Sequence, residues 1–161
     1  MSNSNFKKNI LNTRMITCIF TGFASGLPLY ILIQLIPAWL RYEKVGLAEI
    51  GLLSLATLPY TVKFLWAPFL DKYNLRFFNK RIGLRRGWMM LTQIILILLI
   101  GSLGFLNPSL HLFQLSILCF AIARFSSTFD VAVDAYRRQI LPDSELGLGN
   151  CLLYTSDAAD E

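Results

Sequence analysis

From Met15 to Leu40 the chain carries no charged residue. A run of that length crosses a hydrocarbon core with some tilt. Inside it Gly22 and Gly26 stand four apart with Ser25 beside them, a spacing that lets a neighbouring backbone approach closely, and Pro28 removes a backbone donor and predicts a kink. A short polar link follows at 41–49, holding Arg41, Glu43, Lys44 and Glu49. Ile50 to Leu70 read as a second span, interrupted by Pro59, Lys63 and Pro68 and ending at Asp71. After a long polar connection, Trp88 to Leu106 form a third span whose hydrogen-bonding side chains, Trp88 apart, are Thr92, Gln93 and Ser102. Asn107 and Pro108 make a tight turn, and Leu110 to about Tyr136 form a fourth span. The pattern predicts an all-α polytopic membrane protein with four transmembrane helices at about 15–40, 50–70, 88–106 and 110–136.

Composition agrees with that class. With 55% hydrophobic and only 16% charged residues, the chain is more apolar than a soluble domain, in which charged residues make up about 25%. The formal net charge of +5 would suit nucleic acid if it formed one surface. It is instead dispersed in short clusters between apolar runs, so the bilayer is the expected partner and nucleic acid is not. Three basic residues precede the first span, six lie between Lys72 and Arg86, and Arg137 and Arg138 close the fourth, whereas the two opposite links hold only Arg41 and Lys44. The positive-inside rule therefore puts residues 1–14, the 71–86 connection and the end of the fourth helix in the cytoplasm. Cys18, Cys119 and Cys151 have no ligand-like spacing to one another or to His111, so neither a metal site nor a disulfide framework is read. The first apolar segment is too long, and too poor in a small-residue cleavage site, for a removable signal peptide.

The fourth helix carries the chemistry. An ionisable group in hydrocarbon costs at least about 2.5 to 3.5 kcal/mol, which makes Arg124, Asp130, Asp134 and Arg137 functional candidates. At about 100° per residue, Asp130, Asp134 and Arg137 share one stripe, while Arg124 lies about 120° away and about 9 Å up the axis. Arg124 and Asp130 should therefore each find a partner elsewhere. Lys63 on the second helix is a partner suited to a buried carboxylate. Two readings stay open for the carboxylates: a latch at the cytoplasmic interface with Arg137, Arg138 or the basic connection, or, for Asp130, a titrating proton site. Burial favours the acid and a neighbouring cation favours the carboxylate, so movement of Lys63 or Arg124 relative to Asp130 changes its proton affinity. Arg124 suits either an anionic group on a substrate or the anchoring of carbonyls. Tyr30 and Gln34, a turn apart on the first helix, are candidates for the same cavity, and interfacial anchoring explains Tyr30 equally well.

Four blocks in this order, GFASGLP at 22–28, LPYTVKFLWAPFLDKY at 58–73, RRGW at 85–88 and DVAVDAYR at 130–137, resemble the AmpG-type muropeptide permeases of the major facilitator superfamily. The resemblance runs from about Arg14 to Gly149. It implies the first part of that superfamily's N-terminal bundle, with helices one and four lining a central cavity and helix three outside. It also implies proton-coupled uptake of N-acetylglucosaminyl-anhydromuramyl peptides across a bacterial inner membrane, with no cofactor. Asp71, Lys72, Arg85 and Arg86 resemble the loop that braces the superfamily's cytoplasmic gate, although Ala67 stands where a glycine is usual and an insertion separates Asp71 from Gly83.

The alternatives are a related carrier of another anion such as acetyl-coenzyme A, a membrane-embedded enzyme, and a non-transporting assembly or sensory subunit. An enzyme needs a convergent nucleophile, metal set or acid and base pair, and the single histidine sits in a turn. No protein partner is read. The chain is expected to be a truncated carrier, inactive alone, with residues 147–161 a tail that is non-native from about Cys151.

Overall fold

The structure is a computed structural model that describes residues 13–72, 83–108 and 110–142, with Gly147 and Cys151 beyond them. Lys7, Lys8, the connection cations Arg76, Lys80 and Arg81, the side chain of Asp71 and the remainder of the 147–161 tail lie outside the described residues. Every regular element among the described residues is helical. Arg14–Tyr42, Arg85–Leu103 and Leu112–Ile140 are each long and apolar enough to cross a membrane.

The first helix runs as α1 (Thr13–Tyr30), a π-helical turn (Ile31–Leu35) and α2 (Ile36–Tyr42). Pro28 does not end it; the irregularity falls at the π turn, between Pro28 and Pro37. Proline lacks the amide proton that an α turn would use at position 37, so the wider turn before it absorbs the mismatch. Lys44 then reverses the chain at φ 59.

The second span is helical but not one helix. It comprises α3 (Leu47–Ser54), a 3₁₀ turn (Leu55–Thr57), α4 (Leu58–Thr61), a second 3₁₀ turn (Lys63–Leu65) and α5 (Ala67–Lys72). Pro59 and Pro68 each sit in the first turn of the short α segment they open, where the missing N–H costs nothing, and each stops the segment before it. The third helix, α6 (Leu84–Leu103), begins after Gly83, whose φ of 89 and ψ of 153 belong to a region that only glycine occupies readily. The fourth, α7 (Leu112–Ile140), extends four residues past the predicted Tyr136, and its last backbone bond is made by the Leu141 amide to the Arg137 carbonyl.

The fourth helix is the hub. It packs against the first, second and third, and Ser126, Ser127, Thr128 and Phe129 are buried in succession, which requires neighbours on every side of the helix. Small side chains at Cys119, Ala123, Ser126 and Ala132 let those neighbours approach. The apolar core joins Leu32, Ile36 and Leu40 of the first helix to Leu53 and Ala56 of the second, Leu96 and Leu103 of the third, and Leu115, Ile122 and Val133 of the fourth. Gly22 and Gly26 are buried on the first helix, in the stretch that packs on the fourth. In lipid this packing rests on van der Waals contact and interhelical hydrogen bonds, since the tails are as apolar as leucine.

Candidate functional site: a polar seam between the second and fourth helices

The broken second helix sets the geometry of the site. In a continuous α-helix, residues three apart turn progressively away from one another, whereas in a 3₁₀ turn they eclipse. Tyr60 in α4, Lys63 at the start of the second 3₁₀ turn and Trp66 just after it stand three apart, and all three reach the fourth helix. The Tyr60 hydroxyl donates to the Ser126 hydroxyl at 2.6 Å. Lys63 Nζ lies 3.8 Å from Asp130 Oδ2. The Trp66 ring lies under the Arg124 guanidinium, whose Cζ is 3.6 Å from the ring centroid. Pro59 and Pro68 thus bracket a segment from which three side chains contact the fourth helix.

Asp130 stands where three helices meet. Besides the ion pair with Lys63 from the second helix, its Oδ1 accepts a hydrogen bond from the Ser25 hydroxyl of the first. The carboxylate side chain is 16% exposed and the lysine 39%, so one partner is enclosed and the other reaches a wetter edge. Arg124 occupies a different face, as the helical geometry requires. Its Nη1 donates to the Thr128 hydroxyl at 3.1 Å, and the hydroxyls of Ser127 and Thr128 both donate to its backbone carbonyl, at 3.0 and 2.7 Å. No carboxylate among the described residues pairs with Arg124.

Toward the end of the fourth helix the shared stripe divides. Asp134 does not join Asp130; it accepts from Arg137 Nη2 at 3.2 Å, within its own helix. Arg137 is only 9% exposed and lies near Cys18 and Leu141, while Asp134 is half open. Arg86 donates from Nε and Nη2 to the Tyr136 hydroxyl at 2.9 and 2.6 Å and lies over its ring, tying the start of the third helix to the end of the fourth. Lys72 is exposed. A cavity of about 490 Å³ opens here among Lys63, Phe64, Arg85, Asp134 and Arg138. Lys63 therefore borders both the seam and this cavity.

Tyr30 and Gln34 are exposed and are not brought to the seam. Tyr30 is five residues beyond Ser25, about 140° around the helix from the side chain that meets Asp130. Ser25, Tyr60, Trp66, Ser126, Thr128 and Tyr136 make contacts that the sequence pattern did not single out. The threefold spacing of Tyr60, Lys63 and Trp66 between two prolines was the available signal for two of them. Replacing Tyr60 with Phe should remove one interhelical bond and cost about 0.6 to 1 kcal/mol, read as a small fall in Tm of the detergent-solubilised protein. A larger loss would mean that Tyr60 also organises Lys63.

A helical bundle that brings Lys63, Asp130 and Arg124 into contacts between helices, with many large apolar side chains exposed on its outside, defines a polytopic membrane protein with an internal polar site. The family model described as acetyl-coenzyme A transporter 1 matches residues 15–115, and the chain belongs to that family. The chain is also 40% identical over 131 residues to the anhydromuropeptide permease of Escherichia coli K12, covering 81% of this chain and 26% of that protein. It is 44% identical over 152 residues to an uncharacterised protein of Haemophilus influenzae, covering 94% of this chain and 35% of the relative. The chain thus spans between about a quarter and a third of the length of these curated relatives. No solved structure matches it.

Proposed function

We propose that this chain forms part of a permease that carries anhydromuropeptides inward across the bacterial inner membrane together with protons. Similarity to a protein named anhydromuropeptide permease across most of the chain supports the substrate class. The observation that carries the mechanism is the meeting of Ser25, Lys63 and Asp130 from three different helices at one carboxylate. Protonation of Asp130 would cancel its attraction for Lys63 and weaken the charge-assisted bond from Ser25, so the first, second and fourth helices would be freed to shift. Deprotonation would draw them back together. A carboxylate shared by elements that move relative to one another lets a proton bias two conformations.

In this reading the helix ends near Lys72, Arg85, Arg86 and Arg137 face the cytoplasm. Asp134 with Arg137, and Arg86 with Tyr136, would brace that gate. Asp71 and Lys72 belong to the same proposed gate on sequence grounds. Tyr30 and Gln34 would contribute from the opposite half of the first helix.

Uptake by full-length carrier in proteoliposomes tests the reading. Labelled anhydromuropeptide should accumulate with an inward proton gradient and only equilibrate without one; equal uptake in both conditions would remove proton coupling. A second reading, transport of acetyl-coenzyme A, is favoured by the description of the matching family model. In that case acetyl-coenzyme A should accumulate and should compete with the glycopeptide.

A further inference from the structure

We infer that Arg124 and Trp66 together form the site for a carboxylate of the transported solute, with Trp66 as the residue that positions the guanidinium. The inference rests on the reading of the chain as part of an anion-carrying permease and deepens it.

The seam holds three charges in close sequence: Lys63, Asp130 and Arg124. Lys63 and Asp130 answer each other. Arg124 is left as a cation within a membrane-spanning helix, with no carboxylate opposite it among the described residues and its only side-chain hydrogen bond there made to Thr128. Such a charge is costly in hydrocarbon unless it serves a partner or a pathway. Among the described residues the seam is one positive charge in excess, which matches one anionic group on a solute.

The manner of holding favours recognition over anchoring. A guanidinium that merely capped backbone carbonyls would direct its N–H groups at them, but the Arg124 side chain bonds a hydroxyl and lays its flat face on an indole. Stacking occupies the face of the ion and leaves the donor edge, where a carboxylate binds through two parallel hydrogen bonds. Trp66 and Thr128 then act as the two supports that orient that edge. The indole N–H of Trp66 is enclosed and has no acceptor among the described residues, so stacking and packing, without a hydrogen bond from the ring, hold it in place. Because Trp66 sits three residues from Lys63 on the broken segment, any movement of that segment also moves the support beneath Arg124.

Two measurements on full-length carrier in proteoliposomes test the inference. Trp66→Leu should raise the KM for labelled anhydromuropeptide about five- to thirtyfold, the range that loss of a desolvated cation–π contact implies. Vmax should stay within about twofold, and Trp66→Phe should restore most of the affinity because it keeps a ring face. Uptake of the peptide-carboxamide congener should be weak in the wild type and no weaker in Trp66→Leu. An equal penalty on the acid and the amide, or a fall in Vmax alone, would overturn the site.

The second measurement does not depend on transport. In a carrier whose other tryptophans are replaced by Phe, Trp66 fluorescence should change saturably with the carboxylate form of the glycopeptide and not with its amide. The response should vanish in Arg124→Gln. The same response to both forms, or none to the acid, overturns the inference. Absence of gradient-driven uptake with the fluorescence response intact would instead remove the transport reading and leave the anion site standing.

Discussion

Asp130→Asn is expected to abolish accumulation of solute above equilibrium while sparing exchange of labelled for unlabelled solute across the same membrane. The amide is nearly isosteric, and its carbonyl oxygen still accepts from Ser25, so the helices should remain assembled. What is lost is the ability to take up and release a proton, and with it the response to a gradient. One coupled proton converts a pH difference of one unit into about a tenfold concentration ratio, since one unit is about 1.4 kcal/mol. The measurement is the ratio reached at steady state in proteoliposomes with an imposed inward proton gradient. Full accumulation by the variant would return Asp130 to the latch reading, in which its role is to tie three helices together.

The second large effect is expected from Lys63→Met. Removing one member of a fully buried ion pair strands the other and costs about 3 to 5 kcal/mol. Here the lysine side chain is 39% exposed and the carboxylate 16%, so solvent screens part of the loss and about 1 to 2 kcal/mol is the expected size. Combining Lys63→Met with Asp130→Asn should recover most of that stability, because no charge is then left without its partner, but it should not recover proton-driven accumulation. Thermal unfolding in detergent gives the stability term and the proteoliposome assay gives the functional one. Additive losses in the two single variants and the double would show that Lys63 and Asp130 act independently despite their 3.8 Å separation.

The two outcomes also separate fold from function at the same residues. A polar group buried between transmembrane helices contributes to assembly through its hydrogen bonds, and interhelical bonds of this kind average about 0.6 kcal/mol. The charges contribute little more to assembly once desolvation is counted, yet they are the groups that can respond to a gradient. Neutralising both should therefore restore stability but not the proposed proton coupling.

Several parts of this arrangement were legible from the residues alone. The four apolar runs locate the helices, because a span needs length and low charge and both are local properties. The separation of Arg124 from Asp130 is likewise local, since six residues on one helix fix their angle. The pairing of Asp134 with Arg137 lies within reach of the same reasoning. The second span was harder. Its prolines announced interruptions, but whether the chain would kink, break or pass through 3₁₀ turns depends on what packs beside it. Tyr30 and Gln34 show the limit of local reasoning: spacing on the first helix makes them neighbours of each other without saying which side of that helix the fourth covers, and both are exposed.

The sequence by itself determined that the chain is helical and belongs in a bilayer, which positions are too apolar for water and which charges fall within the apolar runs. Those follow from the cost of exposing backbone and charge to hydrocarbon, a cost each segment meets largely alone. The tertiary structure decided the partners. Only packing could bring Ser25 to Asp130 across more than a hundred positions, set Tyr60 and Lys63 against Ser126 and Asp130, and slide an indole beneath Arg124. A side chain's partner is set by which helix faces lie together, and that depends on the fit of whole surfaces and not on any one segment's composition.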